Sequence, residues 1–326
     1  PDKNNWAPRA GLAWSPDFLN GKTVFRAGYG MFFGPGQLDD VNASLDSIPE
    51  NFSLSQRDEP NLSFPAVRFA GQARSGGASP RSLQRDRRDG YSQQWTFSIQ
   101  QQLPWSFTGQ AAYVGSNGHH LFNRTFINTI NPATGTRPFP NFSNLDEKQN
   151  NGNSSFNGLQ MSLTRPMARS FSWTTQYMWS KNMSDNAGAG DGSQAMISNC
   201  RQCDRAVADW DVRHTFTATW VYQLPFGAGR GWGPKSGFAG RLLEGWETSG
   251  LWTARTGRPL SIQVNRSAAD LPDGVAASTG ASAPPQRPDY VAGQPLYPAT
   301  QTPSAWLSIG AYRLPARGTW GNLGRN

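Results

Sequence analysis

Chemistry at a metal would need imidazoles at ligand spacing, and the chain has three: His119, His120 and His214. His119 and His120 are adjacent and no HExxH pattern occurs, so a polar surface loop is their expected setting, with metal ligation the sharper reading. Cys200 and Cys203 form a single CxxC. A zinc site would require further ligands, and thioredoxin-like chemistry a βαβ setting. A local disulfide that pins a loop in an oxidising compartment is expected instead. Asp185, Asp191, Asp204, Asp209 and Asp211 surround this motif and could hold calcium, although their spacing is not that of an EF-hand loop. The strings GYGMFFG and AGAGDG are neither a phosphate-binding loop nor a dinucleotide fingerprint, and no GxSxG elbow occurs. No catalytic residue, cofactor or resident metal is expected, and the chain reads as a non-enzyme.

Composition points to strands. Of 326 residues only 37% are hydrophobic and 16% charged, against averages of about 45% and 25%. Gly (35) and Pro (24) interrupt any long helix, while an aromatic content of 12% is too high for a disordered chain. No stretch approaches the roughly eighteen consecutive apolar residues of a membrane-crossing helix. The mean hydropathy of −0.60 is nevertheless compatible with a membrane barrel, whose strands are apolar only at alternate residues. The net charge of +8 is scattered, apart from a cluster at Arg81, Arg85, Arg87 and Arg88. With no recognition helix beside it, that cluster reads as a solvated loop or a contact to anionic lipid headgroups, and no nucleic-acid partner is expected. Asn-x-Ser/Thr recurs at Asn42, Asn51, Asn61, Asn123, Asn141, Asn153, Asn182 and Asn265, as chance would give in loops rich in Asn and Ser, and is assigned no role.

Alternation with period two is the dominant signal. Across Tyr91 to Leu103, Trp95, Phe97 and Ile99 fall on one face and Gln94, Thr96, Ser98 and Gln100 on the other. Similar two-faced segments are expected at Trp6 to Trp14, Lys22 to Phe33, Ser106 to Gly115, Phe156 to Thr164, Phe171 to Ser180 and Val212 to Leu224. An eighth, Trp246 to Val264, should bulge at Gly257 to Pro259. The wet faces carry Arg9, Arg26, Gln94, Gln100, Gln110, Gln160, Gln176 and Arg213, expected to line an aqueous lumen. The greasy faces carry Trp95, Phe97, Ile99, Tyr113, Trp173, Trp179 and Trp220, expected to meet lipid, with aromatics such as Trp6, Trp14, Tyr222 and Trp246 near strand ends forming interfacial girdles.

Connections alternate in length. Ser15 to Gly21, Pro104 to Trp105 and Arg165 to Ser170 are short and Pro225 to Gly245 is moderate. Gly34 to Gly90, Ser116 to Ser155, Lys181 to Asp211 and Asn265 to about Gly310 are long. Outer-membrane barrels pair short periplasmic turns with long extracellular loops in this way. A soluble β-sandwich, including a carbohydrate-binding one, is the competing fold, but it would fill its core with Val and Ile rather than Trp, Gly and Ala.

Several stretches add a family likeness. NNWAPRAGLAWSP, GKTVFRAGYGMFF, YSQQWTFSIQQQLP, AAYVGSNGHHL, NGLQMSLTRP, YMWSKNMSD, DVRHTFTATWVYQLPFG and GTWGNLGRN resemble, in order, the C-terminal barrel of TonB-dependent outer-membrane receptors, in particular the Oar-like group. The resemblance spans nearly the whole chain. It implies an all-β antiparallel barrel segment of about eight to ten strands within a 22-stranded wall, residues 1–326 being an interior piece without plug or either barrel end. It also implies partners: outer-membrane lipid, a plug domain of the same full-length chain, the TonB complex acting through it, and an extracellular substrate captured by loops. Trp210, Tyr290 and Tyr297 are candidate substrate contacts. A passive porin, adhesin or export barrel is the competing function.

Overall fold

The computed structural model describes residues 5–34, 81–142, 144–185, 194–198, 200–227, 231–234, 236–275, 284 and 286–325. Asn42, Asn51, Asn61, Asp191 and the AGAGDG string lie outside the described residues.

The strands among them are β1 (Arg9–Trp14), β2 (Thr23–Phe33), β3 (Arg81–Leu83), β4 (Tyr91–Gln102), β5 (Thr108–Ile127), β6 (Leu145–Ala168), β7 (Phe171–Ser184), β8 (Ala206–Val207), β9 (His214–Gln223), β10 (Glu247–Arg255), β11 (Asp289–Tyr290) and β12 (Tyr312–Arg313). Ten of them form one sheet whose main path runs β1-β2-β4-β5-β6-β7-β9-β10, every neighbouring pair antiparallel. β3 pairs with β6 in parallel and β8 with β7, while β11 and β12 make a separate ribbon. β1 and β10 stand at opposite margins of the sheet, so the barrel is not closed. The α-helical content among the described residues is a single short helix, Gly237–Leu242.

Cross-strand partners share a face, so the register decides what each face is made of. Trp14, Phe25, Ile99, Ala111, Met161, Tyr177, Phe216 and Ala254 stand side by side across all eight strands of the main path. One residue along, Val24, Gln100, Gln110, Ser162, Gln176, Thr217 and Thr253 form a row on the other face. The apolar face has little above it: Phe97 is 48% exposed, Leu12 66% and Trp179 51%.

Several sequence expectations need correction. The segment Ser116 to Ser155 is mostly not a loop, because β5 runs on to Ile127 and β6 starts at Leu145, pairing through Ile127↔Leu145. Hydropathy cannot reveal this extension, since polar side chains occupy both faces of much of it, while the backbone ladder needs no apolar residue to continue. His119 and His120 therefore lie in a strand, at the register shift after Gly118, with His120 at φ +52°. β1 begins at Arg9 and leaves Trp6 outside it. The last long segment ends at Arg255, so Gly257 and Pro259 follow the strand rather than bulge within it.

Two glycines on the apolar face form platforms for tryptophan. Trp95 stands opposite Gly115 and Trp220 opposite Gly250. A Cβ at either glycine would lie 2.2 Å from the facing indole. The bare backbone lets each ring lie flat across the neighbouring strand, shielding the glycine's main-chain hydrogen bonds. Gly115→Ala and Gly250→Ala should each lower the urea unfolding midpoint of the folded barrel, by the equivalent of about 1–3 kcal/mol, as the ring is forced off its platform. A midpoint unchanged in both variants would remove this role.

Candidate functional site

The polar face carries Arg, Gln, Ser, Thr and Asn side chains on every main-path strand from β1 to β9, with smaller or apolar residues between them. Arg9, Gly30, Gln94, Ser116, Phe156 and Asn182 share one row, and Arg26, Ser98, Ala112, Gln160, Met178 and Thr215 another. Arg26 Nη1 donates to Gln100 Oε1 at 2.7 Å. Gln110 and Gln176 join Gln100 in the row described above, and the backbone carbonyl of Arg213 accepts from Ser180 N at 3.0 Å beyond the end of β7–β9 pairing. The polar residues singled out from sequence on β1 to β7 thus fall on one side of the sheet. Trp95, Phe97, Ile99, Tyr113, Trp173, Trp179 and Trp220 all share the opposite parity.

The polar face is not uniformly polar. A cavity of about 430 Å³ is lined by Arg9, Phe32, Gln94, Thr96, Val114 and Phe156, all of polar-face parity, together with neighbours that include Tyr29 and Trp95. The Arg9 guanidinium lies 4.5 Å from the Phe32 ring centroid. Phe32 and Phe156 interrupt a polar row, a signal that strict counting of parity would have shown.

At the end of the sheet bearing the long connections, buried polar groups surround a small apolar set that includes Met196, Ala208, Leu271 and Val275. Lys148 and Asp204 are fully buried, and Asp146 binds both Arg124 and Lys148, the latter at 3.0 Å. Arg287 Nη1 donates to Asp204 Oδ1 at 2.5 Å, and Met196 N donates to Asp204 Oδ2 at 2.7 Å. Arg287 Nε reaches Leu323 O at 2.9 Å, and Gln286 Nε2 reaches Met196 O at 3.0 Å. Arg325 Nη2 closes the network on Ser184 O, at 2.8 Å, at the tip of β7. Cys200 and Cys203 are disulfide-bonded at the surface of this knot, with Cα atoms 5.4 Å apart.

The described aspartates near the disulfide point to separate partners. Asp185 accepts from Asn153 N and Arg201, Asp211 from Asn182 N, and Asp209 from Ser261 Oγ. No group of three His, Cys, Asp or Glu side chains able to hold a metal ion occurs among the described residues. His119 and His120 instead lie tilted against Tyr91, at 5.1 and 5.9 Å between centroids. Of the candidate substrate contacts, Trp210 and Tyr297 are exposed, whereas Tyr290 donates its hydroxyl to Gln294 O at 2.7 Å.

A family described as "Outer membrane beta barrel domain" matches residues 1–326. The chain belongs to that family. It is a barrel protein of the bacterial outer membrane, and its two-faced sheet is barrel wall. Among solved structures, the outer membrane transporter YddB from Escherichia coli aligns with a TM-score of 0.45 at 13% identity, covering 66% of this chain and 26% of that one. The FrpB iron transporter from Neisseria meningitidis (F3-3 variant) aligns with a TM-score of 0.36 at 11% identity, covering 67% and 24%. The chain thus spans about a quarter of the length of those transporters. No curated protein matches it.

The Arg287–Asp204 ion pair, with the hydrogen bonds from Gln286 to Met196 O and from Arg287 to Leu323 O, ties the chain around Asp204, Arg287 and Leu323 together, while the disulfide closes a turn within the first of these segments. Arg287→Ala leaves Asp204 buried without its cation, and should cost about 3–5 kcal/mol of local stability. Amide exchange across 196–207 should accelerate while β4 to β6 stay protected; unchanged exchange in 196–207 would contradict the role given to this pair.

Asp273, in the segment after β10, titrates in the opposite sense to a salt-bridged carboxylate. Burial pushes its pKa up from the ordinary 3.8, against hydrogen bonds from Val275 N and Ser198 Oγ that pull it down. The folded loop therefore holds the proton to higher pH than the unfolded chain does. This contribution is full below 3.8 and is lost as pH rises through the raised value. Exchange at Ile130 N, which donates to Asp273 O at 2.9 Å, should be slower at low pH than at neutrality after correction for intrinsic rates. Asp273→Asn should flatten that dependence, and a wild-type profile with no pH dependence would refute the assignment.

Proposed function

We propose that the chain is one arc of the wall of a TonB-dependent outer-membrane transporter of the Oar-like group, a partial barrel whose plug and remaining strands belong to the same full-length protein. The observation that carries this reading is the strand register. It keeps exposed aromatic and aliphatic side chains on one face and Gln, Arg, Ser and Thr on the other across the main path of the sheet. Trp95, Phe97, Ile99, Tyr113, Trp173, Trp179 and Trp220 meet hydrocarbon, where exposure in water would be unfavourable and exposure in lipid is not. Arg9, Arg26, Gln94, Gln100, Gln110, Gln160, Gln176 and Arg213 line the lumen, where each can bind water, the plug or passing solute. The family membership and the ordered resemblance of eight sequence stretches support the same reading.

Transport then needs no covalent step in these residues. The substrate is captured by the long loops, whose braced segments carry the exposed Trp210 and Tyr297. The disulfide of Cys200 and Cys203 pins one of these loops. Force arriving through the TonB complex displaces the plug and opens the polar face to the substrate.

Single cysteines at Phe97 and Ser98 of the full-length protein test the membrane assignment. A lipid-soluble maleimide should label position 97 and a water-soluble one position 98; protection of position 97 from both would instead indicate a closed soluble sandwich. The coding region upstream of Pro1 should specify a signal peptide and a plug domain. Direct continuation into further strands would favour a passive porin, adhesin or export barrel.

A further inference from the structure

We infer that the apolar face carries a built phospholipid site at the short-turn end of the sheet, centred on Arg165; the inference rests on the membrane orientation proposed above. Arg165 has the parity of Leu159, Met161 and Leu163 and stands opposite Trp173, so a cation projects from the face assigned to lipid. Its guanidinium carbon lies 5.5 Å from the Phe107 ring centroid and 5.2 Å from that of Phe171. Nη2 donates to Ala168 O at 3.2 Å, while the buried Nε has no hydrogen-bond partner. No carboxylate forms an ion pair with Arg165 among the described residues, so the charge is held between two rings without an anion.

A cleft continues from this cation. Phe171 belongs both to the Arg165 sandwich and to a cavity of about 510 Å³ completed by Trp173, Trp220, Tyr222 and Thr248. Trp173 and Trp220 are stacked, 6.2 Å between centroids, and Phe171 meets Tyr222 edge-on at 6.1 Å. A guanidinium presents a planar fork of donors suited to phosphate, and aromatic walls suit an alkyl chain. Charge complementarity identifies the occupant as a glycerophospholipid of the periplasmic leaflet. Its phosphodiester sits on Arg165 and one acyl chain lies in the aromatic cleft. The short link between β6 and β7 sets the depth, because Arg165 lies a few residues from the turn, at headgroup level.

The test uses the full-length protein in mild detergent, titrated with phosphatidylglycerol or with diacylglycerol and observed by native mass spectrometry. Wild type should retain a phosphatidylglycerol that Arg165→Gln binds about tenfold more weakly, the scale of one charge-assisted hydrogen bond. Arg165→Lys should lie between them, Trp173→Leu should also weaken retention, and diacylglycerol should not be held. Heat-dependent gel mobility reports whether each variant is a folded barrel; should the Gln variant not fold, the Lys variant and the diacylglycerol comparison decide. Equal retention by folded wild type and Arg165→Gln, or equal binding of diacylglycerol, overturns the site. If that happens while a cysteine at position 97 still reacts with the lipid-soluble probe, only the site fails. An unlabelled position 97 would remove the membrane reading beneath it.

Discussion

The structure depends on one constraint: a backbone that leaves water must satisfy every N–H and C=O within the protein, and a sheet does so only through its neighbours. Between the margins β1 and β10 the antiparallel ladder meets that requirement strand by strand. The price is that register is rigidly coupled to face, since a slip of one residue would turn Phe97 and Trp95 to the polar side and Gln94 and Ser98 to the apolar one. The tryptophans lying on Gly115 and Gly250 reinforce the register locally, because each ring fits only where the facing strand has no side chain.

The two ends of the sheet solve different problems. At the short-turn end the chain reverses within a few residues, as between Ala168 and Phe171, and aromatic side chains gather around it. At the opposite end the segments around the disulfide and after β10 must hold a shape without a large apolar interior. They do so with buried charge: Arg287 on Asp204, Arg325 on the Ser184 carbonyl, and Asp146 between Arg124 and Lys148. Buried pairs of this kind contribute less net stability than an apolar core of equal volume, but they specify one arrangement, since any other leaves a charge without its partner.

The same asymmetry gives a division of labour. The wall between the ends is repetitive and chemically plain, suited to separating lipid from water. Variation in side-chain chemistry, including the disulfide, the exposed Trp210 and Tyr297 and the carboxylate of Asp273, lies in the segments beyond it. A barrel of this design can keep its wall while the braced segments change.

Period-two alternation in segments such as Tyr91–Gln102 and Phe171–Ser184 was enough to determine an all-β, two-faced chain, because side-chain direction in a strand is a local property that flips at each residue. It also assigned most of the polar and aromatic residues to their faces. Local periodicity is silent where both faces are polar, which is why the pairing of 117–127 with 145–155 and the placement of His119 and His120 in a strand emerged only from the fold. Parallel addition of β3 to β6, the meeting of Asp204 with Arg287, and the closure of Arg165 between Phe107 and Phe171 likewise belong to the tertiary structure alone. Each joins residues whose separation in the chain carries no pattern, and only folding brings their charges and rings within interaction distance.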